Sequence, residues 1–171
     1  LRGDERPAPL EGVTLARVRA LVSAEIALYA AHLPLDGHPT VGNAAGLART
    51  LGLTDTAPFG TIAGVTIGRG GRFPSARSTE TVRATLAELD GAVAEPTVLP
   101  FGPDPIDRVA IVTGAGGAWL EEAAAAGYDA LISGEPQHRL HHLARELELT
   151  AIFPGHYATE TFGIRALADP P

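Results

Sequence analysis

The chain contains no cysteine. Disulfides and thiolate metal sites are therefore excluded, and any metal ion would have to be held by histidine and carboxylates. It also contains no methionine, which either processing or loss of an N-terminal segment would explain. Aromatic residues make up only 5%, with one Trp, three Tyr and five Phe. Basic residues are outnumbered, 13 against 20 acidic ones, for a net charge of −7. That balance argues against a general affinity for long nucleic acid, which needs clustered Lys and Arg. It leaves room for a single nucleotide held through metal. No apolar run reaches the roughly 18 residues that span a bilayer, and no signal-like segment opens the chain. The expectation is a cytoplasmic protein. With 45% hydrophobic and 19% charged residues over 171 positions, the composition is that of a globular chain with a core.

Hydrophobic periodicity organises the chain as follows. Thr14 to Ser23 has helical spacing at Leu15, Val18, Leu21 and Val22. Ile26 to Ala31 is a short apolar run, read as a buried strand. Leu33 to Asn43, with Pro34, Gly37, Pro39 and Gly42, is read as a loop. A helix is expected over 44–51, a strand over 62–69, a helix from Ser78 to about Gly91, and a weak strand over 93–99. The second half then alternates: strand 108–113, helix 117–126, strand 130–133, helix 137–148, strand 151–153, helix 157–168. This order predicts a layered α/β sheet with flanking helices, largely parallel in its second half, in one domain over residues 1–171. Ligands of such folds gather at the carboxyl ends of strands. Asp36, Gly114, Glu135 and His156 each follow an expected strand.

Two segments carry chemistry. In Gly155-His156-Tyr157-Ala158-Thr159-Glu160, His156 and Glu160 stand four apart and share one helix face, a geometry suited to one cation or a bridged pair. Gly155 lets the backbone turn sharply out of the preceding strand. An exposed helix start, with Glu160 near the positive end of the dipole, is the plain alternative. In Ala31-His32-Leu33-Pro34-Leu35-Asp36, Pro34 argues against a helix, and Asp36 is either a ligand or an Asp bonded to its own turn. His138, His141 and His142 fall on one expected helix face and form a rival cluster, though no carboxylate accompanies them. Gly114-Ala115-Gly116-Gly117 only superficially resembles a dinucleotide fingerprint, since Trp119 stands where its third Gly belongs. No phosphate loop and no serine-hydrolase context is present.

Two stretches together resemble the Nif-three-like dinuclear metal centre family, also called GTP cyclohydrolase 1 type 2 homologues. One is Ile26-Ala-Leu-Tyr-Ala-Ala-His32-Leu-Pro-Leu-Asp36, continuing to Gly42-Asn43. The other runs from Val109-Ala-Ile-Val-Thr-Gly114 through Asp129-Ala-Leu-Ile-Ser-Gly-Glu135 to Gly155-His156-Tyr-Ala-Thr-Glu160-Thr-Phe-Gly163. The resemblance implies a Nif-three-like fold lacking both terminal segments. It implies that Asp36, His156 and Glu160 are metal ligands, and that a further His-His pair lies upstream of Leu1. Two divalent ions would be the cofactors, drawn from zinc, iron, manganese or magnesium. The implied function is metal-dependent hydrolysis of a small molecule, GTP or a related nucleotide among the candidates. A non-catalytic metal-binding scaffold is the alternative. In the catalytic reading Glu135 either supports a metal ligand from behind, carries protons or caps the helix begun at Pro136, and His32 either orients Asp36 or satisfies a backbone carbonyl. The resemblance also implies a homo-oligomer, a hexameric ring.

Overall fold

The computed structural model describes residues 9–168. The chain divides into two compact units at Ala31/His32. In the first, α1 (Gly12–Ser23) forms where helical spacing predicts it, but none of its residues is buried. The expected buried strand over Ile26 to Ala31 is absent. That stretch has no regular structure, and Ile26, Leu28 and Tyr29 are exposed. A short apolar run cannot become a strand unless a neighbouring strand pairs with it, and none of the ladders of the described residues includes it.

From His32 onward the order is α2 (Leu33–Asp36), α3 (Asn43–Leu51), β1 (Thr54–Ile62), β2 (Val65–Arg77), α4 (Thr79–Ala87), β3 (Thr97–Pro100) and β4 (Ile106–Ile111). A 3-10 turn at Gly116–Trp119, α5 (Leu120–Ala125), β5 (Ala130–Ile132), α6 (Leu140–Glu146), β6 (Thr150–Phe153), α7 (His156–Thr159) and α8 (Thr161–Ala168) complete it. The six strands form one sheet in the order β1-β2-β4-β5-β6-β3. The β4-β5-β6 block is parallel, as the alternating second half predicts, while β1, β2 and β3 join antiparallel.

Period-2 alternation divides the core between the two faces of this sheet. Val109, Ile111, Ala130 and Ile132 pack with Leu47 and Leu51 of α3 and with Val82 and Leu86 of α4. Ala110, Val112 and Leu131 pack on the other face with Leu120 and Ala123 of α5 and with Leu140 and Ala144 of α6. The sheet is therefore covered on both sides, which a parallel block requires.

Three expectations need correcting. The strand expected over 62–69 is the turn of a hairpin and part of its second strand. Ala63 and Gly64 both have positive φ, 48° and 79°, the backbone of a two-residue hairpin turn. Reading them as alternating strand positions concealed β1. Second, the loop expected over Leu33 to Asn43 contains α2. Pro34 sits in the first turn of that helix, where its missing N–H has no intrahelical partner to lose. Third, Asp36 therefore ends a short helix and does not follow a strand.

Candidate functional site

Three loops leave the carboxyl ends of β4, β5 and β6 side by side, and backbone bonds tie them together. The Gly114 carbonyl accepts from the N–H groups of Gly134 (2.7 Å) and Glu135 (3.2 Å) and from the Ser133 hydroxyl (3.1 Å). Its own N–H donates to Thr159 Oγ1 at 3.1 Å. The Gly155 N–H donates to the Gly134 carbonyl at 2.9 Å. Gly114 has φ +63°, and a Cβ there would collide with Glu160 Oε1 and His156 Nε2. Only glycine lets the first loop pass so close to those two side chains.

His156 opens α7 after the turn at Gly155, as its position in the motif predicts. Its Nδ1 lies 3.0 Å from Glu135 Oε2 and its Nε2 3.2 Å from Glu160 Oε2. The helix expected over 157–168 is broken at Glu160 into α7 and α8, yet the four-residue spacing still brings His156 and Glu160 together. Asp36 reaches the same place from α2. It is nearly buried, 8% exposed, and its Oδ1 accepts from Asn43 Nδ2 at 2.7 Å. The Asn43 Oδ1 in turn accepts from the Gly163 N–H at 2.7 Å.

His32, Asp36, His156 and Glu160 line one cavity of about 200 Å³. Leu33, Ile67, Val112 and Trp119 contribute its apolar lining. Burial pushes the Glu160 pKa above the ordinary carboxylate range; His156 opposes this, and the Asp36 charge adds to it. At His156 burial works against the charged imidazole, but the bond to Glu135 and the charges of Glu160 and Glu135 outweigh it, so that pKa is raised. The two shifts have different main causes: burial raises Glu160, whereas the neighbouring carboxylates Glu135 and Glu160 raise His156 against burial.

The structure thus brings the expected ligands Asp36, His156 and Glu160 to one cavity from distant parts of the chain. Among the described residues no three His, Asp or Glu side chains are gathered closely enough to hold an ion as they stand. The donor chemistry nevertheless fits a divalent cation. A neutral imidazole whose Nδ1–H donates to Glu135 presents the Nε2 lone pair beside Glu160, and a carboxylate oriented behind a ligating histidine is the usual support of such a ligand.

The two further candidates separate. Glu135 does not cap α6: that helix begins only at Leu140, after Arg139 and without a side-chain cap. Its carboxylate bonds His156 instead. His32 lines the cavity near enough for its charge to act on Glu160. Among the described residues it forms no hydrogen bond to Asp36 or to a carbonyl.

The rival histidines border one cavity, but not through the shared helix face expected of them. His138 lies before α6, in a turn where the Leu140 N–H donates to the Gln137 carbonyl, so it shares no helix face with His141 and His142. Those two rings pack edge to face on each other, 5.3 Å between centroids, and His141 packs likewise on Phe101 at 5.2 Å.

Asn43, Thr159 and Trp119 are site residues that motif reasoning did not single out. Asn43 carries a partial signal, an amide at the start of a helix and at the end of the first resembling stretch, but its partners 7 and 120 residues away cannot be read from spacing. Thr159 looks like ordinary helix filler until its hydroxyl is seen bridging the Gly114 N–H and the His156 carbonyl (2.9 Å).

Comparison with known proteins places this geometry. Residues 6–170 match the family described as Duf34/NIF3 (NGG1p interacting factor 3). A protein of Halobacterium salinarum named GTP cyclohydrolase 1 type 2 homolog is 50% identical over 152 residues, covering 88% of this chain and 60% of the relative. A Deinococcus radiodurans protein of the same name is 43% identical over 163 residues, covering 95% and 61%. Among solved structures, a Thermus thermophilus protein superposes with a TM-score of 0.83 at 40% identity, covering 95% of this chain and 63% of that one. Reduced HcgD from Methanocaldococcus jannaschii gives 0.79 at 26%, with the same coverage of 95% and 63%. The chain spans 60% and 61% of the length of the two curated relatives. With a family match over residues 6–170 and half of 152 aligned positions identical in one relative, the chain belongs to the Duf34/NIF3 family.

Proposed function

We propose that the chain supplies Asp36, His156 and Glu160 to a dinuclear divalent-metal centre of a hydrolase acting on a small molecule, with GTP or a related nucleotide the first substrate to test. The observation that carries this reading is the two-sided setting of His156, with Nδ1 on Glu135 and Nε2 on Glu160 beside the cavity that Asp36 also lines. One neutral imidazole has one N–H. When Glu135 takes it, the remaining lone pair and two carboxylates make a mixed nitrogen and oxygen donor set suited to zinc, iron, manganese or magnesium.

A bound pair of such ions supplies Lewis acidity and a water of lowered pKa. The chain's own residues do the rest. Asn43 fixes the Asp36 carboxylate, Glu135 fixes the imidazole tautomer, and Thr159 pins the Gly114 loop to α7. His32 lines the same cavity as Glu160. Leu33, Ile67, Val112 and Trp119 give the cavity an apolar lining that limits water. The nucleotide choice rests on the name shared by the relatives. Assembly into a homo-oligomeric ring, a cytoplasmic location and an upstream His-His pair belong to the same proposal by resemblance.

The test uses the longest natural form of the protein, stripped with chelator and reloaded separately with zinc, iron, manganese and magnesium. At least one ion should restore turnover of GTP or another nucleotide, and Glu160→Gln should abolish it while the protein stays folded. Stoichiometric metal binding without turnover of any nucleotide or phosphoester would replace the hydrolase by a metal-binding scaffold.

A further inference from the structure

The cavity lining mixes two chemistries. It combines the ionisable Asp36, His156 and Glu160 with Trp119 and the aliphatic Leu33, Ile67 and Val112. Trp119 is the only tryptophan of the chain, in a protein with few aromatics. Trp119 is partly exposed and lines the cavity. Among the described residues its indole N–H has no hydrogen-bond partner. The ring is nevertheless held. It ends the 3-10 turn of Gly116–Trp119 directly before α5 and packs against the core beneath. Its pyrrole edge faces the backbone of β1 so closely that a Cβ at Gly60 would come within 3.0 Å of Cδ1 and 3.2 Å of Nε1.

We propose that Trp119 is the specificity-determining residue of this cavity, receiving the flat unsaturated ring of a ligand whose cationic or metal-binding edge faces Asp36, His156 and Glu160. A rigid indole gives a planar ligand a large contact area at little cost in side-chain entropy, and its face favours stacking with another ring. An aliphatic ligand of the same head group gains none of this. The inference rests on the cavity being the ligand site described above, but it needs no metal ion to be tested.

The probes are benzamidinium and acetamidinium, which share one planar cationic head and differ in the ring. Their affinities for the metal-free full chain are measured by calorimetry, and the Trp119 emission is followed in the wild-type protein. Benzamidinium should bind about tenfold tighter than acetamidinium, the size that stacking and buried ring area together provide. It should also change the emission. Trp119→Phe should keep most of the preference. Trp119→Leu, which retains apolar bulk without a π face, should lose most of it. Equal affinities for the two probes in wild type, undetectable binding of both, or a Trp119→Leu variant that keeps the full preference would overturn the proposal. Adding Mn²⁺ separates the two readings. Displacement of benzamidinium supports both, whereas a ring preference that persists with no Mn²⁺ competition counts against the metal centre and leaves Trp119 as the platform.

Discussion

Two groups of histidines stand in the second half of the fold, and their surroundings differ more than their number suggests. His138, His141 and His142 outnumber His156 and border a larger cavity, about 470 Å³ against about 200 Å³. Their neighbours around that cavity are Leu99, Pro136 and Gln137, with no carboxylate. His156 is a single imidazole, but it lies between two glutamates and shares its cavity with Asp36. A cation needs oriented donors and compensating negative charge, and imidazole count or cavity size substitutes for neither. The lesson is that a candidate metal site is judged by what stands behind and beside the histidine.

The comparison can be broken most sharply at His156. His156→Ala should weaken Mn²⁺ or Zn²⁺ binding by more than roughly 100-fold, beyond the loss expected from an orienting partner alone; unchanged calorimetric affinity would remove the distinction between the clusters. Glu135→Gln should cost about 10- to 100-fold, since the ring keeps its place but loses the carboxylate that fixes its tautomer.

Binding should also weaken as pH falls. The imidazole must be deprotonated to ligate, and its pKa in the metal-free protein lies above the ordinary value of 6.5, so competition by protons begins at higher pH than for a free histidine. The same shift acts oppositely on the metal-free fold: its stabilising contribution is complete below the unfolded-state pKa and is lost as pH rises through the raised folded value. Affinity titrations and urea melts over this range would detect the two opposite trends.

Asn43→Ala should lower unfolding stability by about 1–3 kcal/mol in a denaturant melt, because it leaves the Asp36 Oδ1 and the Gly163 N–H without their buried partner. A change within error would mean that water replaces the amide without cost. The smallest effect is expected from replacing His138, His141 and His142 together by Ala. Metal content by elemental analysis should stay within about twofold of wild type, as for surface changes away from a site.

The parallel half of the sheet was legible in the sequence because its signals are local. The strands expected over 108–113 and 130–133 and the Ser78 start of α4 depend on neighbours a few residues away. His156 and Glu160 were legible for the same reason. What stayed hidden depends on tertiary partners or on backbone signs. Ile26 to Ala31 has strand composition, yet it has no ladder partner among the described residues. The positive φ at Ala63 is invisible in a residue that ordinarily avoids it, so β1 and its hairpin went unread. Glu135 resembles a helix cap until α6 is seen to start five residues later, at Leu140. Asp36 was reached through resemblance, while the Asn43 bond that holds it joins segments whose proximity only the fold creates.

The central claim is that the cavity of Asp36, His156 and Glu160, and not the histidine trio, holds the metal. Crystals of the protein grown with Mn²⁺, with anomalous scattering recorded at the manganese edge, test it directly. The account predicts an anomalous peak within ligand distance, about 2.0–2.3 Å, of His156 Nε2 and of carboxylate oxygens from Glu160 or Asp36. A peak only at His138, His141 and His142, or none in a crystal whose protein binds Mn²⁺ stoichiometrically in solution, would contradict it.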